Sequence, residues 1–301
     1  MRTNRRSWAT FLFVLAASTA STKSASAQWT PQPGHGHVKV WAKWLLGFGY
    51  VDGEGDYNAY QNYHELFLAT YGDVGIVDGL ALFWHTDIVR GFTLRDPIAG
   101  EVRGHVTGGD PALGLRWRFL LRDRLAMALV GSVRAPLIQR TGEQQIVYER
   151  RPGDDGRYDR VGGLRIGAGT WDLTAGIKAG YAFDRWFLGG SVAYQARLKG
   201  FDDRIVWSAE VGLAFNERWG STLRANGAHS MVPLRSDRGD PPRSESPSGI
   251  GNGVSWTGFA LELDYELISR WHLGLTIEGG LGFLRRQTGG PVTSLSLSTT
   301  Y

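Results

Sequence analysis

The chain has 301 residues, with 33 basic and 29 acidic side chains, 42 glycines and no cysteine. The absence of cysteine excludes disulfide scaffolds, cysteine nucleophiles and cysteine-based zinc sites. Four of the basic residues lie within positions 1–27, which contain no acid, so the remainder carries 29 charges of each sign. A basic surface for nucleic acid is therefore not indicated, and we expect no nucleic-acid partner.

Residues 1–27 have the features of a removable signal peptide. Arg2, Arg5 and Arg6 precede an apolar run at 9–17, and Ala25-Ser26-Ala27 supplies the small residues that a signal peptidase requires. After this leader no apolar stretch approaches the ~18 residues needed for a membrane-spanning helix. We therefore expect an exported protein, with a short periplasmic segment at 28–36 and the folded domain at 37–301.

From residue 38 onward, apolar side chains alternate with small, polar or charged ones in segments of about ten residues. In 171–183 the apolar residues occupy the odd positions, and 204–215, 259–267 and 271–281 repeat the pattern. One face of each segment is therefore apolar, and the other is small or charged. This period is typical of β-strands and predicts an all-β protein.

Twelve such strands are predicted, and an even number places both ends of the chain on the same side of a barrel. They cover roughly 37–50, 61–71, 78–92, 109–120, 124–135, 168–183, 186–198, 203–215, 218–230, 254–267, 270–284 and 292–301. The pattern indicates a transmembrane up-and-down antiparallel β-barrel.

The predicted connections alternate between short and mostly longer. Short ones lie near 122, 184, 217 and 269, with a slightly longer one at 72–78; the others cover 51–60, 93–108, 136–167, 199–202, 231–253 and 285–291. Short periplasmic turns and longer outer loops are typical of the Gram-negative outer membrane. The two longest loops, 136–167 and 231–253, are expected either to fold inward as constrictions or lids, or to remain solvated.

Three of the short turns share an arginine followed by a tryptophan, at Arg185-Trp186, Arg218-Trp219 and Arg270-Trp271. This repeat predicts an aromatic belt at the inner interface of the membrane. The partners expected for the barrel as a whole are the lipid bilayer and lipopolysaccharide. The chain ends at Tyr301, and a terminal aromatic on an alternating strand resembles the signal that barrel-assembly machinery recognises. A soluble β-sandwich would also alternate, but it explains neither these turns nor the unequal loops.

In a barrel the charged face lines the lumen, where each ion needs water or a partner. Counting back from the short turns places Asp172 opposite Arg197 and Glu210 opposite Arg224, which predicts two inward ion pairs. The predicted lumen-lining set comprises Lys39, Lys43, Arg116, Arg118, Asp172, Lys178, Arg197, Glu210, Arg224, Glu262, Asp264 and Glu278, together with Glu266. Such a wall fits either a hydrated pathway or a salt-bridged plug, and twelve strands predict a narrow lumen.

Catalytic motifs are absent from the sequence: it contains no nucleophile elbow, zinc-protease motif or phosphate-binding loop. We therefore expect no enzyme activity, no catalytic residues, no cofactor and no bound metal. The only candidates for a membrane-embedded hydrolase are His85 with Asp87, and His272 beside Glu266 across a hairpin.

Several stretches resemble the outer-membrane barrel family labelled for the MetA pathway of phenol degradation, which is related to fatty-acid and aromatic-hydrocarbon transporters. They are Glu65–Gly72, Val77–Leu80, Thr107–Arg116 and Gly167–Leu173. The resemblance implies an outer-membrane channel or transporter for hydrophobic or aromatic compounds. The resemblance does not extend to the gating mechanism of the fatty-acid transporters, because residues 28–36 are too few to form their N-terminal hatch domain. The resemblance also assigns no substrate-binding residue.

Together these features predict an outer-membrane channel for the passive passage of small organic solutes, hydrophobic or aromatic. Charged lumen residues and the loops 136–167 and 231–253 would set its selectivity. The alternative is a structural or surface-recognition barrel with a plugged lumen, whose outer loops bind a partner. A membrane-embedded hydrolase is a third hypothesis.

Overall fold

The computed structural model describes residues 30–51, 57–95, 102–137, 146–150, 158–163, 170–198, 201–231, 255–279 and 292–301. Within these ranges it describes the side chains of all residues except 47–63, 92, 94–95, 103, 105, 146–150 and 158–163. The predicted signal peptide at 1–27 and nearly all of the predicted loop at 231–253 lie outside the described residues. Within those residues, no helix has the length and apolar character needed to cross a bilayer.

The described secondary structure consists of fifteen β-strands. They are β1 (Gly36–Val51), β2 (Tyr57–Val77), β3 (Leu80–Arg95), β4 (Val102–Thr107), β5 (Ala112–Arg122), β6 (Leu125–Arg134), β7 (Ile146–Arg150), β8 (Tyr158–Gly163), β9 (Asp172–Ala182), β10 (Trp186–Arg197), β11 (Arg204–Ala214), β12 (Trp219–Ser230), β13 (Trp256–Ile268), β14 (Trp271–Gly279) and β15 (Val292–Thr300).

Twelve of these strands close into one antiparallel barrel, in the order β1, β2, β3, β5, β6, then β9 to β15 and back to β1. The seam between β1 and β15 runs from His37 opposite Thr300 to Leu45 opposite Val292. At its end, Gly36 and Tyr301 exchange two backbone hydrogen bonds of 3.1 Å. The predicted twelve-stranded up-and-down barrel is therefore confirmed.

One wall of the barrel extends further than the sequence predicts. Past the point where β5 begins, β3 continues and pairs with β4 from Arg90 to Arg95. Residues 93–95 of β3 and all of β4 lie in the region 93–108, which is predicted as a loop. Residues 108–111 separate β4 from β5, so the strand predicted at 109–120 begins at Ala112 instead. Pro111 explains the break, since its nitrogen has no hydrogen to donate to a neighbouring strand.

The region 136–167, also predicted as a loop, contains a β-hairpin. β7 and β8 pair from Ile146 opposite Gly163 to Arg150 opposite Tyr158, and β7 lies against β2. The signal was the run Ile146-Val147-Tyr148, because β-branched and aromatic residues favour strands. This part of the chain therefore contains two paired strands, and β7 lies beside the barrel wall.

The barrel has its apolar side chains outside and its polar ones inside, the reverse of a soluble protein. In β9, Leu173, Ile177 and Tyr181 are exposed, whereas the intervening Asp172 and Gly180 are buried. The same alternation recurs in β5 and β14. An apolar surface of this extent matches a barrel that lipid surrounds.

Aromatic side chains gather on the outer face beside the short turns. Trp186, Trp219 and Trp271 are all exposed there, as the repeated arginine-tryptophan turns predict. The Trp186 ring stacks on Phe183 at a centroid distance of 3.5 Å, and Trp219 packs on Tyr265 at 4.6 Å. We call this end of the barrel the short-turn end, and the opposite end the long-loop end.

Candidate functional site: the inner wall of the barrel

The side chains that alternate with the exposed apolar ones face an enclosed space. Lys39 Nζ on β1 lies 2.5 Å from Glu262 Oε1 on β13, although these strands do not pair. Arg116 on β5 similarly reaches Asp73 on β2, with 3.2 Å between the nitrogen and oxygen atoms. Such contacts over intervening strands form only on the concave side of a barrel. We call this surface the inner wall.

Most of the charged residues singled out in the sequence lie in pairs on this wall. The two predicted cross-strand pairs are present: Arg197 lies opposite Asp172 with 3.6 Å between Nε and Oδ1, and Arg224 lies opposite Glu210 with 3.1 Å between Nε and Oε2. Two further contacts, which the sequence does not predict, join β1 to more distant strands. They are Lys39 with Glu262 and Lys43 with Glu278, the latter at 2.7 Å.

Arg118 lies apart from these pairs. A bulge between Arg118 and Leu120 interrupts β5 near its end. The Arg118 guanidinium bonds at 2.7 Å to Asp78, which lies in the turn between β2 and β3. Arg118 is therefore at the rim of the short-turn end.

The two histidine candidates for catalysis both lie on the inner wall. His272 lies opposite Glu266, but its Nδ1 is 2.7 Å from Asp264 Oδ2. The residue opposite Asp264 is Gly274, which has no side chain, so the imidazole can reach the diagonal carboxylate. His85 stacks on Trp41, and Asp87 is the charge that acts on it most strongly. In the described ranges, no three metal-ligating side chains come together in a possible metal site.

Three arginines meet on the inner wall near the long-loop end. Arg134 on β6 and Arg197 on β10 both lie opposite Asp172 of β9, the strand between them. An Arg134 nitrogen is 3.7 Å from the Asp172 carboxylate. Arg204 follows on β11, where its Nε donates to Gln195 Oε1. We call Arg134, Asp172, Arg197 and Arg204 the arginine cluster.

Neighbouring residues hold this cluster in place. The Arg197 guanidinium lies over the Phe201 ring, 4.6 Å from its centroid, and Gln195 Nε2 donates to Thr174 Oγ1 at 3.3 Å. Asp203, in the loop between β10 and β11, accepts hydrogen bonds from the Tyr194 hydroxyl and the Arg197 backbone N–H. These two bonds, the tyrosine bond first, lower the pKa of Asp203 below its ordinary value and keep it ionised at the rim.

Aromatic side chains line another part of the inner wall, along β1, β2 and β3. We call Trp41, Phe67, Tyr71, Phe83 and His85 the aromatic strip. Trp41 and His85 stack with centroids 5.7 Å apart and planes at 24°. Arginines cover two other rings, Arg90 over Phe67 at 4.8 Å and Arg116 over Phe83 at 5.7 Å.

The lumen-lining residues predicted from the sequence are all charged, so they do not include the aromatic strip. The signal was present, since Trp41 lies midway between Lys39 and Lys43, two positions from each, and therefore shares their face.

Lys178 on β9 faces charged groups of both signs on the inner wall. Its charge interacts with Glu210 most strongly and then with Arg116, Arg224 and Asp73, which belong to four other strands. These strands lie on both sides of β9 around the barrel. Twelve strands enclose less space than the sixteen to eighteen of an open porin, so charges on separate strands influence one another across the inner wall.

No protein-family model matches the chain, and no curated protein matches it in sequence. Solved structures match in fold. The COG4313 outer membrane channel from Pseudomonas putida F1 has 11% identity and a TM-score of 0.53, covering 90% of this chain and 97% of that one. The KdgM porin in complex with oligogalacturonate has 5% identity and a TM-score of 0.46, with 87% and 99% covered.

A third match is the CymD monoaromatic hydrocarbon channel, with 11% identity, a TM-score of 0.41 and 94% of each chain covered. At these identities the likeness concerns the fold alone, which the apolar outer surface and the enclosed charges show independently. The chain is therefore a twelve-stranded β-barrel of the Gram-negative outer membrane.

Proposed function

We propose that this protein is a channel through which small hydrophobic or aromatic organic molecules cross the outer membrane passively. The observation that carries the proposal is the inner wall, which combines paired charges with the aromatic strip and is separated from lipid by the apolar outer face. The resemblance to the family of the MetA phenol-degradation pathway supports the same class of solute.

The arrangement of the ion pairs favours a hydrated pathway. The pairs described above join strands that are neighbours or at most three positions apart around the barrel, as Lys39 and Glu262 are. Such pairs lie along the wall and do not cross the lumen. Paired ions need little further solvation, so they line a passage without trapping an organic solute.

The aromatic strip gives this passage a surface suited to aromatic solutes. Aromatic rings that pack edge to face or offset contribute about 0.5–1.5 kcal/mol beyond their buried area. Contacts of this size concentrate a solute without holding it tightly. The strip is therefore suited to passage and not to storage.

Assembly and surface contacts are part of the same proposal. The Tyr301 side chain is exposed beside the seam, and its hydroxyl donates to the Asp73 carbonyl oxygen at 3.4 Å. We infer that this terminal residue presents the chain to the barrel-assembly machinery and that lipopolysaccharide surrounds the long-loop end.

Solute uptake into liposomes tests the channel. Phe83→Ala should reduce the uptake of phenol severalfold relative to a sugar of similar size, because the substitution removes an inward aromatic ring. Leu82→Ala is the matched control, since its side chain points outward on the same strand. Folded wild-type protein that produced neither conductance nor uptake would contradict the proposal.

The charge interactions of Lys178 favour a second candidate, a plugged barrel whose outer loops bind a partner. Its charge interacts with groups on both sides of the barrel, among them Asp73 and Arg224. A plugged barrel predicts no conductance in the wild type and conductance only after Lys178→Ala. Conductance in both proteins would eliminate the plug.

A further inference from the structure

We propose that the inner wall carries a binding site for a small aromatic carboxylate, between the arginine cluster and the end of the aromatic strip formed by Trp41 and His85. The carboxylate would lie on Arg134 and Arg204, and the ring would lie beside the stacked indole and imidazole. This inference rests on the proposed channel function and narrows its solutes to organic anions.

The register places the two halves of the site at the same level of the barrel. His85 on β3 lies opposite Ala112 of β5, and Ala112 lies opposite Arg134 of β6. The backbones of His85 and Arg134 are two strand spacings apart, a distance of about 10 Å. Ala112, which lies between them in this row, contributes only a methyl group. The longer side chains of His85 and Arg134 therefore border a recess in the inner wall.

The electrostatics of the cluster favour an anion. Among the described residues, the charges that act most strongly on Arg204 are Arg197, Asp172 and Arg134, of which two are positive. Asp202 acts on Arg197, and the Asp203 carboxylate accepts bonds from Tyr194 and the Arg197 backbone. Like charges in an enclosed space are stabilised by a counterion, so the cluster attracts an anion to Arg134 and Arg204.

Differences in exposure assign the arginines distinct roles. The Arg197 and Asp172 side chains are only 3% and 2% exposed, whereas that of Arg134 is 37% exposed. Asp172 therefore orients the guanidiniums from within the wall, and Arg134 faces a solute in the lumen. A guanidinium presents two parallel N–H groups that match the two oxygens of a carboxylate, which gives this site its preference for carboxylates.

The aromatic half distinguishes this site from a simple anion filter. Trp41 holds the His85 ring by stacking. The charges that act on His85 are Asp87 first and then Arg134 and Lys43, of which two are positive. Ala69 lies opposite Trp41 on β2 and adds no bulk beside it. A ring bound here contacts aromatic faces while its carboxylate reaches the arginines.

Current measurements in planar bilayers test the site with benzoate as the probe, and acetate and benzyl alcohol as comparisons. Under a potassium chloride gradient, we expect the reversal potential to show anion preference. Benzoate should reduce the current at concentrations at least tenfold lower than acetate or benzyl alcohol. Arg134→Gln combined with Arg204→Gln should abolish the anion preference and weaken the benzoate effect at least tenfold.

Matched variants separate the two halves of the site. Trp41→Ala should weaken the effect of benzoate and leave that of acetate unchanged. Arg134→Lys should keep the anion preference but lose part of the benzoate effect, because an ammonium group lacks the paired donors. Arg124→Gln is the control, since Arg124 pairs with Asp184 at an exposed position near the short-turn end. Retention of heat-modifiable mobility on gels shows that each variant is folded.

The outcomes distinguish this inference from the channel proposal. A conducting protein in which the double arginine variant responds to benzoate like the wild type would overturn the inference and leave the channel intact. A folded protein that conducts nothing would overturn the channel. Calorimetric titration of benzoate into the detergent-solubilised protein would then decide the site: binding that the double variant loses supports it, and no binding overturns it.

Discussion

At the scale of single residues, the direction in which a side chain points decides its environment. Leu263 and Asp264 are consecutive on β13, yet Leu263 is 40% exposed on the outer face while Asp264 bonds to His272 on the inner wall. The period of a strand is two, so consecutive residues face lipid and lumen in turn. Substitutions at neighbouring positions should therefore have unequal consequences.

Leu263→Arg should lower the free energy of unfolding by about 2–4 kcal/mol if the residue lies near the bilayer midplane, because it places a charge in lipid. Asp264→Asn should have a much smaller effect, since it changes a polar group within the lumen. Urea unfolding in lipid vesicles, followed by tryptophan fluorescence, measures both. Equal losses in the two variants would contradict the assignment of the two faces.

At the scale of elements, local features determine where strands begin and turn. Pro111 interrupts the wall between β4 and β5, and the turn between β13 and β14 places Arg270 at a φ of 73°. Left-handed backbone costs a non-glycine residue about 1–2 kcal/mol relative to its preferred conformation. In the turn between β11 and β12, by contrast, Asn216 Oδ1 accepts the backbone N–H groups of Arg218 and Trp219.

Arg270→Gly should raise the free energy of unfolding by about 0.5–1 kcal/mol, because glycine adopts a positive φ without strain. Arg218→Gly is the control, since Arg218 is not among the described residues with a positive φ. It should be neutral or destabilising. Urea unfolding in lipid vesicles measures both variants. A loss of stability in Arg270→Gly would show that contacts of the arginine side chain with lipid headgroups outweigh the backbone strain.

At the scale of the whole molecule, the inside-out distribution of polarity determines where the protein is stable. Charged pairs such as Lys43 with Glu278 are enclosed, while Leu275 and Ile277, on the same strand as Glu278, are exposed. The arginine cluster is at the long-loop end, and Asp264 with His272 is nearer the short-turn end. The lumen is therefore electrically asymmetric along its axis.

The chain without residues 1–27 should fold in detergent micelles or vesicles and aggregate when the detergent is removed, because its apolar belt then meets water. Dynamic light scattering and gel mobility before and after detergent removal measure this. Protein that remained folded and monomeric in plain buffer would contradict the membrane assignment.

The sequence by itself determined the features that depend on local spacing. Alternation with period two identified the strands and their faces, and tight turns placed Asp172 opposite Arg197 and Glu210 opposite Arg224. Both pairs are present because a short hairpin allows only one register between its strands.

Only the tertiary structure decided which residues from distant parts of the chain meet. Closure of the barrel brings Lys39 to Glu262 and Arg116 to Asp73 across intervening strands, and it places His85 level with Arg134. Curvature and strand order set these distances, and the spacing of residues within one segment carries no information about either.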